Sequence, residues 1–238
     1  MAGNDVKLLS GLMSRLRMVD LTHVLEEHIP AVPTHSKYKH SLWNSYRLGD
    51  RALTYEISLN EHTGTHVDAP SHFIREGEAH VHIHELPLQT FMGPYVKIDL
   101  SFIGPTGEVT AEHFTAWEAQ HGEISPGDIV LIDLGWAQYW KKRPDDKAYL
   151  ADWPGLGRSA AEYLVTKRVK MVGVDTINVD RYGSAEYPAH YTLLGNGILI
   201  MENLNRLQDI PERGYFLTLP LYIKEGSGSP IRAIALFE

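Results

Sequence analysis

Short apolar runs rich in β-branched residues recur along the chain, each bounded by glycine, proline or serine; 96–100, 128–134 and 169–175 are the clearest. Such runs read as strands, and a carboxylate stands at or near the end of each. Between the second and third, Ser159-Ala160-Ala161-Glu162 has the form of a capping box, and Leu164 and Val165 follow on the helical face of Ala161. Residues 128–175 therefore predict a strand, helix, strand unit. A further helix is expected to start at Thr110 and to turn Phe114 and Trp117 inward, while 214–223 and 230–237 read as strands. The pattern predicts an α/β domain with a mixed sheet. No internal repeat, low-complexity tract or Gly/Ser linker marks a boundary, so one domain is expected.

Composition narrows the chemistry. The 238 residues are 43% hydrophobic, enough for the core of one large domain. Thirty acidic against 22 basic side chains give a formal charge of -8, which repels phosphate backbones and anionic membrane surfaces, so neither nucleic acid nor membrane is an expected partner. Cysteine is absent, which removes thiolate ligands, cysteine nucleophiles and disulfides; any transition-metal site must use imidazole and carboxylate. The first twenty residues lack the apolar run of a signal peptide, and no stretch approaches about 20 apolar residues, so a cytoplasmic location is expected.

That constraint directs attention to His62-Thr63-Gly64-Thr65-His66-Val67-Asp68-Ala69-Pro70-Ser71-His72-Phe73. Gly64 and Pro70 argue against a helix. On an extended backbone His62, His66, Asp68 and His72 share one parity and can face one side, with Thr63, Thr65 and Val67 on the other. Imidazole nitrogen and carboxylate oxygen suit zinc, or manganese and ferrous iron where the oxygen share is larger. A single histidine in such a loop is ordinary polar surface; four ligand-type side chains in register predict a metal site.

The pattern His-x-Gly-Thr-His-x-Asp-x-Pro-x-His-Phe resembles the signature of the cyclase family of metal-dependent hydrolases, to which bacterial kynurenine formamidases and isatin hydrolases belong. The resemblance extends over most of the chain, through Val19-Asp20-Leu21-Thr22-His23, residues 127–132, Gly173-Val174-Asp175-Thr176, Pro188-Ala189-His190, residues 197–204 and Gly228-Ser229-Pro230-Ile231-Arg232-Ala233. It implies a swivelling β/β/α fold over 18–238, with residues 1–17, which precede the match, as an arm or helix. It further implies that His62, His66 and Asp68 bind one metal, that Asp68 bridges to a second completed by His190 and Glu202, and that His72 transfers protons. The cofactor implied is manganese or zinc, one or two per chain, and the assembly implied is a homodimer or larger homo-oligomer. The substrate expected is small and aromatic or cyclic: an aryl formamide, isatin-like cyclic amide or lactone, attacked at its carbonyl by metal-activated water. A role for His72 as a fourth metal ligand, or as a hydrogen-bond partner of a ligand, stays open.

Other signals weigh less. His80, His82 and His84 alternate as a metal array could, yet a solvated edge or loop explains them as well. Gly226-Ser227-Gly228-Ser229 lacks the spacing of a nucleophile elbow, which leaves a serine hydrolase as a weak alternative, and no dinucleotide fingerprint or phosphate loop is present. Trp43, Tyr46 and Phe73 are candidates for an aromatic substrate pocket, against the plainer reading as core. The second functional hypothesis is a non-catalytic, metal-dependent binding protein, but structural sites are usually closed and cysteine-rich, unlike this oxygen-rich set.

Overall fold

All five residues of the apolar run Ile129–Asp133 are buried, as a strand covered on both faces requires. The computed structural model describes residues 2–238, with side chains from residue 5 onward. In chain order the elements are α1 (Ala2–Met13), β1 (Arg17–Asp20), β2 (Lys39–Asn44), β3 (Thr54–Ser58), β4 (His66–Asp68), β5 (Met92–Asp99), β6 (Glu108–Val109), α2 (Ala111–His121), β7 (Ile129–Asp133), β8 (Gly155–Leu156), α3 (Arg158–Lys167), β9 (Met171–Val174), α4 (Pro188–Gly195), β10 (Leu199–Glu202), β11 (Arg213–Leu217), β12 (Gly228–Pro230) and β13 (Ile234–Phe237). The main sheet has the order β1-β13-β11-β5-β7-β9-β10-β4-β12. Its centre, β5-β7-β9-β10, is parallel and its flanks are antiparallel, which is the mixed α/β sheet expected.

Alternation along the central strands divides the core. Val96, Ile98, Val130, Ile132, Val172 and Ile200 pack with Phe114, Leu164 and Leu193 from α2, α3 and α4. The opposite parity, Tyr95, Ile129, Leu131, Met171 and Leu199, packs with Val19 and Phe237 from one flank and Val67 from the other. Residues from the two ends of a flat sheet could not share a cluster, so the sheet curls over this face. Polar bonds close the curl: Thr65 Oγ1 accepts from the His23 amide at 2.9 Å, and Leu21 O accepts from the Asn205 amide. Flank, centre and helices thus make three layers.

Several local expectations shift. Thr110 does cap α2, and Phe114 and Trp117 are buried. The capping box at Ser159 does not form: α3 starts from Gly157, and Ser159 Oγ accepts from the Ala111 amide at 3.4 Å, at the start of α2. At Gly157 the backbone passes so close to the Glu108 side chain that a Cβ would meet its carboxylate. Strand β11 stops at Leu217, three residues before Pro220, and the run 230–237 is split between β12 and β13. The carboxylate of Asp175, just past β9, accepts from the amides of Leu134, Trp136 and Ala137, stapling the end of β7 to β9.

Candidate metal centre

Strand register sets the first part of the site. In the antiparallel pair β4–β10, His66 stands directly opposite Glu202, and Asp68 follows on the same face two residues along β4. Val67 points the other way into the core, as period two demands. The period fails outside β4. Gly64 turns with φ +63, and Pro70–His72 is a single 3-10 turn, so His62 and His72 reach the centre by turns and not by one extended strand. Their rings stack at a centroid distance of 3.9 Å.

Helix α4 delivers His190. Asp180, on the loop after β9, accepts from the amides of Ala189 and His190 and so satisfies donors left free at the start of the helix. The same carboxylate lies 2.6 Å from His190 Nδ1. Nδ1–H therefore donates to Asp180, and Nε2 is left facing inward, 3.5 Å from Asp68 Oδ2 and 3.4 Å from Glu202 Oε1. His66 is held in the same sense. Its Nδ1 donates to the Gly64 carbonyl at 2.8 Å, and its Nε2 is 3.4 Å from Asp68 Oδ1 and 3.5 Å from Glu202 Oε2. Asn203 supports this turn by donating to the same carbonyl at 2.8 Å, and Tyr149 Oη donates to Asn203 Oδ1 at 2.7 Å. The Ser227 hydroxyl donates to Glu61 at 2.7 Å, so it accepts from His62 Nε2 at 3.0 Å, and His62 Nδ1 is hydrogen-bonded with Asp68 Oδ1 at 2.7 Å.

Three imidazoles thus turn a nitrogen toward Asp68. The donor atoms of His66, Asp68 and Glu202 lie within 4.8 Å of one another, as do those of His62, Asp68 and His72. Asp68 is common to both groups, and its Oδ2, fully buried, makes no hydrogen bond among the described residues. A buried carboxylate oxygen without a partner is costly, and a cation is the partner this donor set suits. Among the described residues, no lysine or arginine lines the cavity above it. The electrostatics agree. Burial works against the Asp68 carboxylate, but His62, His190 and His66 outweigh it and hold its pKa well below the usual carboxylate range. Burial and the charge of Asp68 push Glu202 up to about 7. For His190, burial opposes protonation, yet Asp180, Asp68 and Glu202 push it up to about 10. These carboxylates attract positive charge into the site, and imidazole protons supply it where a metal ion can replace them.

His72 differs. Burial, opposed by Asp68 and reinforced by His62 and His190, lowers it to about 4, so its ring is neutral at pH 7. Phe73 stacks on the His190 ring at 4.2 Å. The cavity over these residues has a volume of about 320 Å³ and is walled by Val32, His35, Phe73, Ile177 and Tyr187.

The family model described as "Putative cyclase" matches residues 19–181. The chain belongs to the cyclase family. Among curated cyclase-family relatives, isatin hydrolase of Roseibium aggregatum is 34% identical over 261 residues, covering 99% of this chain and 96% of the relative. Kynurenine formamidase of Polaromonas naphthalenivorans is 31% identical over 220 residues, covering 92% and 90%. A solved structure of isatin hydrolase A from Labrenzia aggregata bound to benzyl benzoate superposes with a TM-score of 0.88 at 32% identity, covering 98% of this chain and 99% of that one. The curled mixed sheet is the fold of this family.

The structure brings His62, His66, Asp68, His72, Phe73, His190 and Glu202 to one centre. It does not bring Trp43 or Tyr46. Trp43 lies on the β2–β3 hairpin, a separate two-stranded sheet, and is 70% exposed; Tyr46 is likewise exposed. No strand pairing ties the hairpin to the main sheet among the described residues, so the aromatic character of these residues does not place them in the pocket. His80, His82 and His84 lie in a loop and a short 3-10 turn and join neither donor group. Sequence reasoning missed Asp180, Asn203, Ser227 and His35. Asp180 had a legible signal, since a ligand histidine needs a carboxylate or carbonyl on its other nitrogen. His35 had none: it sits in an irregular loop and reaches the cavity only through the fold.

Proposed function

We propose that this chain hydrolyses the C–N bond of a small cyclic or aryl amide, an isatin-like lactam or an aryl formamide, with related lactones as further substrates. A divalent metal, manganese or zinc, would be held by His62, His66, Asp68, His190 and Glu202, one or two ions per chain. The observation that carries this reading is the unpartnered Asp68 Oδ2, buried among three inward-facing imidazoles and a second carboxylate at the floor of the cavity. When bound, the metal supplies Lewis acidity, which polarises a carbonyl and lets water act as a nucleophile near neutral pH. The chain's own residues do the rest. Asp180 and the Gly64 carbonyl fix the tautomers of His190 and His66. Neutral His72 takes the proton that attacking water releases and passes it to the departing amide nitrogen, which otherwise leaves as an unstable anion. Phe73, Val32 and Ile177 make the wall against which a flat ring can pack.

The test is hydrolysis of isatin and of N-formylaniline by protein stripped of metal and reloaded with manganese or zinc. Turnover of at least one, absent from stripped protein and restored by metal, is the expected result; no turnover of either under any loading contradicts the proposal. Glu202 separates one ion from two. Glu202→Gln should cut turnover steeply while about one equivalent of metal still binds at His62, His66 and Asp68, because those three keep their own donor atoms. Calorimetric titration of stripped protein checks this, and one binding step in the parent together with unchanged turnover in Glu202→Gln rejects the second ion.

We also read residues 18–238 as one domain and the chain as part of a cytoplasmic homodimer or larger homo-oligomer. Among the described residues, no helix is long and apolar enough to cross a membrane. Leu42, Trp43, Tyr55 and Ile57 are exposed on the β2–β3 hairpin, and Val6, Leu8 and Leu9 on α1, more apolar surface than a free hairpin and helix sustain. Sedimentation at micromolar concentration tests the assembly; a monomer overturns it.

A further inference from the structure

A second chamber adjoins the cavity over the metal centre. Val32, Ile177, Asn178 and Tyr187 line the cavity on one side and the chamber, of about 450 Å³, on the other. The two adjoin across these shared residues, and their chemistry differs. The inner cavity is dominated by imidazole and carboxylate, whereas the outer chamber adds Pro33, Leu150, Trp153, Tyr182 and Ala185. Its single charged lining residue, Arg181, is already engaged, with Nε 3.0 Å from Glu108 Oε2.

The chamber is also built onto the catalytic frame. Trp153 Nε1 donates to the Asp180 carbonyl at 2.9 Å, and the Tyr182 amide donates to the Trp153 carbonyl. Trp153 and Tyr182 meet edge to face at 4.8 Å. Asp180 in turn fixes His190, so one loop holds both a metal-facing imidazole and the aromatic wall of the outer chamber.

We propose that this outer chamber is a second substrate subsite, which takes a flat, uncharged aromatic group carried beyond the ring next to the scissile bond. The inference rests on the amide-hydrolase reading for the inner cavity, and it enlarges the substrate class from single fused or aryl rings to biaryl amides. An aromatic ring in the chamber would lie against Trp153 and Tyr182 with its edge toward Val32 and Ile177, an arrangement aromatic side chains favour.

The test compares formanilide with 4-phenylformanilide as substrates, and aniline with 4-phenylaniline as unreactive ligands, on manganese-loaded protein. The parent should bind 4-phenylaniline at least about tenfold more tightly than aniline by calorimetry, roughly 1.4 kcal/mol. Ala185→Trp, which fills the chamber from an exposed position, and Trp153→Ala, which opens its wall, should each erase most of that difference. In kinetics Ala185→Trp should raise KM for 4-phenylformanilide about tenfold and leave formanilide within about twofold. Equal binding of the two amines by the parent, or a preference that survives Ala185→Trp, overturns the subsite. If formanilide and isatin are not hydrolysed at all, the amide-hydrolase reading fails, and the amine binding still decides whether the chamber takes a second ring.

Discussion

Asp68→Ala should lose bound metal and activity together. Asp68 is the one residue shared by both groups of donor atoms, and it lies within 3.5 Å of three imidazoles, at 2.7 Å from His62, 3.4 Å from His66 and 3.5 Å from His190. Removing a partner that only orients a metal ligand typically costs 10–100-fold in affinity, so loss of a shared ligand should cost more than about 100-fold. No cysteine can substitute. The buried position, under 2% exposed, also denies a replacement carboxylate from solvent-facing side chains. Elemental analysis of the purified variant, with turnover measured on the same sample, checks the prediction. Full metal content would remove Asp68 from the site.

His72→Ala should behave differently: metal stays, and turnover falls by about 10²–10⁴, the range for a lost general acid–base. The distinction rests on environment. Burial keeps His72 neutral, with a pKa of about 4, in contrast to His190 beside it, which is pushed up to about 10 by carboxylates. No carboxylate or carbonyl among the described residues fixes the ring of His72, unlike those of His66 and His190. The expected loss is smaller for substrates with good leaving groups, because they need the proton less. Its donor atoms do lie within 4.8 Å of those of His62 and Asp68, so metal content is the discriminating measurement. A parallel fall of metal and activity makes His72 a ligand.

The parts of the site that were legible in the sequence are those set by local spacing. His66 and Asp68 sit two apart on a true strand, and their common face follows from the pleat. His62 and His72 were grouped with them by parity, and they do converge, but through a glycine turn and a proline-led 3-10 turn that parity does not describe. His190 and Glu202 came only from the family resemblance. What joins them to β4 is the β10–β4 register and the cap that Asp180 makes on α4, both long-range facts with no local periodicity. The same limit holds for Ser159, whose capping-box pattern is locally sound, although the cap of α3 falls two residues earlier, at Gly157. Trp43 marks the opposite case: an aromatic residue in a plausible stretch, carried away from the pocket by a hairpin outside the main sheet.

The most direct test of the metal centre is anomalous diffraction from crystals of manganese- or zinc-loaded protein, recorded on both sides of the metal's absorption edge. A peak is expected within bonding distance of the Asp68 carboxylate, among the inward-facing nitrogens of His62, His66 and His190. Active, metal-loaded crystals with no peak at Asp68, or with their only peak elsewhere, such as beside His80, His82 and His84, would rule out this centre.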